Sequence, residues 1–409
     1  MIKPTLRTPR TLVPEMSHRR IRHYIFLRDV LLLAVTAFGG PQAHVALYIE
    51  LLVVKRRYLT EGELMELYAL CQMLPGPTST QTLTAVGFRV GGPRLAYLTL
   101  LTWLLPASIL MTAAAIGLSY LQLRSSSLAF TRFIQPIAVA FVAVAAWRIA
   151  SRVVHTPTGG LLMLVAAGLA YLIPSPWVFP VVLIASGTIT AVRYRHRLDV
   201  EEKVPVRVEW SNFFVWVAVF VAAAVLGAVT GAWPVRLFEN FYRNGSLIFG
   251  GGQVLIPLMY TEFVTFKQYL TSEEFLSGFA LVQALPGPVF SFCAYIGALT
   301  GRLTGSVWGQ VLGSVVALGG VFLPGTFLIF FVIRFWEQLK RYRVVRASLD
   351  GIQAASSGLV IAAAFLLFKP LEPDALNVGI IVVTAILLLF TRVPSPAIIA
   401  VGLLAGFVF

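Results

Sequence analysis

"CQMLPGPTSTQ" (residues 71–81) and "VQALPGPVFSF" (residues 282–292) decide how this chain is read. Each string sits in a run apolar enough for a membrane, yet each carries two prolines around a glycine. Proline removes a backbone donor and its ring clashes with the preceding turn, so neither run is one unbroken helix. The same break is used twice.

Other strings recur in the same order, some 211 to 220 residues apart. "AFGGPQ" (37–42) answers to "FGGGQ" (249–253), Glu50 to Glu262, and "YLTEGEL" (58–64) to "YLTSEEF" (269–275). Further on, "LLPAS" (104–108) parallels "FLPGT" (322–326), Ile134-Gln135 parallels Ile352-Gln353, and "IPSPW" (173–177) parallels "VPSPA" (393–397). Conserved order among glycine, proline and polar signals marks a duplicated unit. The expected organisation is a basic segment (1–23), a first repeat (24–192), a charged linker (193–210, "RYRHRLDVEEKVPVRVEW"), and an additional helix with the second repeat (211–409). The extra apolar span over 211–231 would reverse the second unit, giving an inverted-topology repeat.

Composition sets the solvent. Of 409 residues, 58% are hydrophobic and 12% charged, against about 25% charged in soluble domains. Apolar stretches of spanning length recur from about Tyr24 onward, so the fold class is an all-α polytopic membrane protein with helices broken at Gly-Gly and Pro-Gly-Pro. A net charge of +14 raises the question of nucleic acid, but the basic residues lie at loop ends such as Lys55 to Arg57 and Lys340 to Arg346. That distribution fits anchoring to the lipid bilayer rather than a nucleic-acid stripe. Cys71 and Cys293 lie in apolar segments without metal-ligand spacing and read as small hydrophobes; no metal or cofactor is indicated. The basic amino terminus before "LLLAVTAFGG" resembles a signal peptide, but Arg28 and Asp29 interrupt its core, which argues against cleavage.

Broken helices in hydrocarbon need partners for the freed backbone groups, so matching breaks in two repeats point to a shared cavity near the midplane. A half-helix starting after Pro-Gly-Pro offers free amides and the positive end of its dipole, which favours an anion. Gly76 is followed by Thr78, Ser79, Thr80 and Gln81, small donors suited to a tetrahedral oxyanion, with Arg89 as the expected countercharge. The second half offers Gly287, Ser291 and Tyr295. The Gly-Gly breaks add Gly39, Gly40, Gln42 and His44 in one half and Gly251, Gly252 and Gln253 in the other. Pro41, Pro75, Pro77, Pro286 and Pro288 make the breaks. Donors are denser in the first half, so the substrate is expected to lie nearer to it. The competing reading is a pair of packed, kinked helices whose hydroxyls bond back to their own carbonyls. His44, Glu50 and Glu262 are candidates for coupling or gating, against a structural histidine and an interfacial ion pair of Glu50 with the following basic run.

"FGGPQAH", "LPGPTSTQ" with its "VG", "FGGGQVLIP", and "LPGPVF" with "YIG" resemble the signatures of the chromate ion transporter family from about Phe38 onward. The matching positions are Gly39, Gly40, Pro41, His44, Pro75, Gly76, Pro77, Ser79, Thr80 and Gly87, then Gly250, Gly251, Gly252, Pro257, Pro286, Gly287, Pro288 and Gly297. The resemblance implies a two-domain secondary transporter of the prokaryotic cytoplasmic (inner) membrane that exports chromate and confers resistance. Phe88 and Arg89 in "VGFRVGG" depart from the commoner pattern and bear on selectivity. Sulfate shares chromate's charge and shape, so a sulfate or other anion carrier or channel stays open as the alternative, as does a homodimeric assembly. Neither a Walker string, an H-E-x-x-H, nor a serine elbow is present, which leaves no basis for an ATPase or hydrolase.

Overall fold

The structure, a computed structural model, describes residues 15–123, 131–153, 155–195, 209–249, 252–336 and 343–408. The described regular elements are all helical. Most of the expected 193–210 linker lies outside them, as does the greater part of the expected 1–23 segment.

The first repeat opens with α1 (Glu15–Thr36), breaks at Gly39-Gly40, and resumes as α2 (Pro41–Tyr48), which widens into a π-helix over Ile49–Lys55. α1 and α2 form a hairpin: Asp29 on α1 accepts from Arg56 Nη2 (2.8 Å) and Tyr58 Oη (2.9 Å) just past the π-helix. A second hairpin follows. α3 (Glu61–Met73) starts at a capping box in which Thr60 and Glu63 satisfy each other's backbone donors. It ends at Pro75-Gly76-Pro77, where α4 (Thr78–Leu123) begins and returns to place Arg89 2.6 Å from Glu63.

α4 is two arms. Gly91 and Gly92 leave helical angles, with Gly92 at φ +77, and the long arm doubles back so that Trp103 meets Thr80 and Thr99 lies against Gly87. α5 (Ile134–Val153), α6 (Pro157–Leu172) and α7 (Val178–Arg195) complete the unit.

After α8 (Ser211–Thr230) the plan repeats in detail. α9 (Trp233–Leu247) leads to α10 (Gly252–Met259), which again widens into a π-helix over Tyr260–Phe266. Arg57 and Gln268, at equivalent places in the two turns, both take positive φ, +52 and +53. α11 (Ser272–Ala284) starts at a second capping box, Thr271 with Glu274, and α12 (Phe292–Gly301) follows the second Pro-Gly-Pro through a short 3-10 turn. α13 (Val307–Val332) folds back on α12, with Gly313 packed on Gly297 and Gly309 on Gly301. α14 (Arg343–Phe368), α15 (Ala375–Phe390) and α16 (Ser395–Val408) close the chain.

Equivalent helices run in opposite directions. On the long arm of α4, Tyr97 packs on Phe330 (ring centroids 5.4 Å apart), Thr112 bonds Ser314 (2.6 Å), and Gln122 reaches Glu274 and Arg302. Numbers rise along α4 as they fall along α13, so these counterparts are antiparallel and the repeats are inverted. The extra helix α8 supplies the odd crossing, and it is the most lipid-like: among five described helices long and apolar enough to span, its window is 11% buried while that of α13 is 67% buried.

Two outcomes test this arrangement. In a chain reconstituted in one orientation, Lys55→Cys and Phe266→Cys, equivalent exposed positions at the two hairpin turns, should react with an impermeant maleimide from opposite sides. Gly297→Ala would drive its Cβ into the Gly313 carbonyl oxygen; we expect a loss of about 1–3 kcal/mol, read as a lower thermal midpoint in detergent.

Candidate functional site

Backbone geometry brings the four breaks together. Gly76 N–H, in the first Pro-Gly-Pro, donates to the carbonyl of Ile248 beside the second repeat's glycine run (2.7 Å). Gly287 N–H, in the second Pro-Gly-Pro, donates to the carbonyl of Ala37 beside the first repeat's Gly-Gly (2.8 Å). Both glycines take left-handed angles, φ +120 and +101, which only glycine adopts cheaply. Each also abuts the other repeat's proline-bearing helix: a Cβ on Gly76 would lie 3.6 Å from Gly325 Cα, and one on Gly287 would lie 3.2 Å from Ala107 Cβ. Ala107 and Gly325 follow Pro106 and Pro324 at equivalent positions.

Side chains break this symmetry. In the first half Thr78, Ser79, Thr80 and Gln81 are all buried at the start of α4. Gln81 N–H is the first to bond within the helix, to Pro77 O (2.9 Å), so the amides before it lack an acceptor in their own helix. His44 Nδ1 lies 3.1 Å from Ser79 Oγ, Tyr48 Oη donates to the Ser79 carbonyl (3.4 Å), and Trp103 Nε1 donates to Thr80 Oγ1 (3.1 Å). The rings of His44, Tyr48 and Trp103 pack on one another, the His44–Trp103 pair edge to face at 5.3 Å. Gln81 Nε2 donates to Pro75 O (2.6 Å). Among the described residues, His44 Nε2, Gln81 Oε1 and Ser108 Oγ are buried without a hydrogen-bond partner. Unpaired polar atoms of this kind are costly in a low dielectric; others lie in the second half, on Asn240, Asn244, Glu262, Ser277, Gln310 and Trp336.

The second half fills the same positions with hydrocarbon. Leu255 stands for His44, Met259 for Tyr48, Phe290 for Ser79, Phe292 for Gln81 and Val321 for Trp103, all buried. Ser291 remains, but its hydroxyl bonds back to Pro288 O (2.8 Å). At these positions the polar groups lie in the first repeat; the second carries its buried polar groups elsewhere, at Asn240, Arg243, Asn244 and Glu262.

A family profile described as "Chromate transporter" matches residues 25–191 and 235–407. The chain belongs to the chromate transporter family. Over 378 residues it is 24% identical to an uncharacterized transporter of Methanocaldococcus jannaschii, covering 92% of this chain and 91% of that one. Over 406 residues it is 24% identical to the chromate transport protein of Cupriavidus metallidurans, covering 97% and 94%. It is also similar to an uncharacterized transporter of Bacillus subtilis, 29% identical over 183 residues, which spans 42% of this chain and 96% of that shorter one. No solved structure matches significantly.

Several expected site residues of this transporter lie elsewhere. Arg89 does not join the cluster: it sits at the outer end of the short arm of α4, 55% exposed, paired with Glu63. A helix returning from the break carries Arg89, three turns on, away from Thr78. Tyr295 is buried but donates to the Glu274 carbonyl (2.9 Å) under Gly278, near the far end of its hairpin. Glu50 is exposed and paired with Lys55 (2.6 Å), the interfacial pairing weighed from sequence. Glu262 is buried, held by Arg243 Nη2 (3.1 Å), with Lys267 at 3.8 Å. Arg243 also bonds Glu239 (3.0 Å) and lies 5.1 Å from the centre of the Trp177 ring. Gly39 takes φ +96, Gly40 precedes α2 and Gly252 opens α10. Gly251 and the side chains of Gln42 and Gln253 lie outside what the structure describes. Back-bonding to helix carbonyls does hold for Thr82 and Thr84, whose hydroxyls bond Thr78 O and Thr80 O, but not for Ser79 or Thr80.

Tyr48 and Trp103 were not singled out from sequence. Comparing the repeats carries a signal for Trp103, since the tryptophan three residues before Pro106 faces a valine before Pro324.

The two ion pairs should respond differently. Arg89→Gln is expected to change stability by less than about 1 kcal/mol, as for exposed pairs, and to leave flux unchanged. Arg243→Met strips the buried Glu262 of its nearest cation and should cost about 3–5 kcal/mol, both read by thermal unfolding in detergent.

Proposed function

We propose that this transporter exports chromate, a tetrahedral dianion, from the cytoplasm of a prokaryote across its cytoplasmic membrane, and that resistance to chromate follows. The observation that carries the reading is the cluster at Thr78 to Gln81: helix-start amides and buried polar atoms without a partner among the described residues, and hydroxyls held by His44 and Trp103, all at the junction of the breaks. Donors of this sort stabilise an oxyanion without fixed countercharge. A neutral site releases a dianion more readily than one holding an arginine. Family membership and the name of the Cupriavidus metallidurans relative favour chromate among the anions of that shape.

The mechanism in this reading is alternating access, with units 24–192 and 211–409 rocking about the shared junction. The inverted packing of α4 on α13 supports it, because inversion makes the two outward paths equivalent. On one side Glu274 of the second repeat is bound by Gln122 of the first (2.9 Å) and by Arg302 (2.6 Å). Such a tie would have to open for the site to reach that side. His44, whose Nδ1 meets Ser79 Oγ and whose Nε2 has no partner among the described residues, is the proposed place where a proton would couple to the anion; Glu262 is the second candidate.

The test is uptake of labelled chromate into everted vesicles containing the protein, with sulfate as competitor and each gradient collapsed in turn. Saturable, protein-dependent uptake is expected. Ser79→Ala with Thr80→Ala should weaken apparent affinity by roughly tenfold or more, about 1.5–3 kcal/mol for each hydrogen bond lost to a charged group. Sulfate flux without chromate flux would reassign the substrate, and flux of neither by folded protein would end the oxyanion reading.

A further inference from the structure

The first-half cluster contains a bond that fixes which way a hydroxyl points. Trp103 Nε1 carries a hydrogen and no lone pair, so in its 3.1 Å contact with Thr80 Oγ1 the hydroxyl is the acceptor. The Thr80 hydrogen must then point elsewhere; among the described residues it donates to none, and the side chain is buried, 1% exposed. A threonine usually turns its hydroxyl back to its own helix or rotates between giving and accepting. Here the indole occupies one of the hydroxyl's two acceptor lone pairs and leaves its hydrogen to be paired.

We propose that Trp103 is a specificity-determining positioning residue: by donating to Thr80 it holds that hydroxyl as a hydrogen donor toward the bound anion, biasing the site toward fully deprotonated tetrahedral oxyanions over protonated ones. This rests on the oxyanion reading above. A dianion such as chromate or sulfate offers only acceptors and matches a fixed donor. A hydrogen phosphate brings its own hydroxyl, which needs an acceptor and finds at Thr80 only the one lone pair the indole leaves, at the cost of turning the Thr80 hydrogen away from the ligand. Gln81 Oε1 stays available as an acceptor nearby, so the discrimination is graded rather than absolute. The second half has nothing equivalent, with Val321 in place of Trp103 and Ser291 bonded back to Pro288 O. His44 at Ser79 is compatible with the same arrangement when its proton is on Nδ1, but a ring with two tautomers does not enforce it.

The experiment compares inhibition of labelled chromate uptake by sulfate and by phosphate in everted vesicles. The variants are Trp103→β-(3-benzothienyl)alanine, which keeps the ring shape and lacks the N–H, and Trp103→Phe. Thr80→Ser, which retains a hydroxyl, is the conservative control. The expected result is a phosphate-to-sulfate inhibition ratio shifted toward phosphate by about tenfold in both Trp103 variants, each read against that variant's own chromate uptake, with the wild-type ratio held in Thr80→Ser, which keeps the hydroxyl. Equal weakening of both anions, with the ratio at its wild-type value, would make Trp103 a packing residue and overturn the inference while leaving the oxyanion reading intact. If Trp103→Phe does not fold, the benzothienyl variant alone decides. Absence of oxyanion flux in the wild-type protein would instead remove the reading on which the inference stands.

Discussion

A broken helix inside a membrane leaves backbone groups that water cannot reach, at several kcal/mol each. Here the answer is reciprocal. The amide of Gly76 is taken by a carbonyl beside the other repeat's glycine break, and the amide of Gly287 is taken by the matching carbonyl in the first. The left-handed glycines, the flanking prolines and the small residues Ala107 and Gly325 all serve that close approach. Inverted packing follows from the same demand, since hairpins that insert from opposite directions present their tips to one another.

The scaffold is nearly symmetric, and the chemistry on it is not. Both halves have the π-helix, the positive-φ turn, the capping box and an arginine closing the hairpin, Arg89 on Glu63 and Arg302 on Glu274. Only the first half lines its tip with His44, Tyr48, Ser79, Thr80 and Trp103. In the second, leucine, methionine, phenylalanine and valine occupy those places and pack. Duplication supplies the fold twice; at the tip one copy presents polar side chains and the other hydrocarbon. Buried charge is placed differently in the two halves: Asp29 with Arg56 in the first and Glu262 with Arg243 in the second, while Glu50, the counterpart of Glu262, stays at the surface.

Much of the fold was legible because proline and glycine act on their own backbone. "LPGP" at two places predicts two breaks whatever surrounds them, and the structure has both. The polar run after Gly76 was legible for the same reason, as helix starts advertise themselves locally. Arg89 shows where this stops. Sequence places it a few turns from the break, but the short arm of α4 leads outward, and only the turn at Gly91-Gly92 and the pairing with Glu63 reveal that. Trp103 is the converse case: more than twenty residues from Thr80 in sequence, it is brought back by a helical hairpin that no periodicity announces. Pairings across a fold depend on where chains turn, and turns at glycine pairs inside apolar runs resemble ordinary helix.

The reciprocal bonds also impose an order on synthesis. Residues 37 and 76 emerge from the ribosome well before residues 248 and 287, with α4 to α9 between them. Until the later partners arrive, the first repeat's tips hold an open carbonyl and an open amide in the bilayer. The early hairpins therefore cannot settle at full depth alone, and the chain's own second half acts as the late-arriving chaperone of its first.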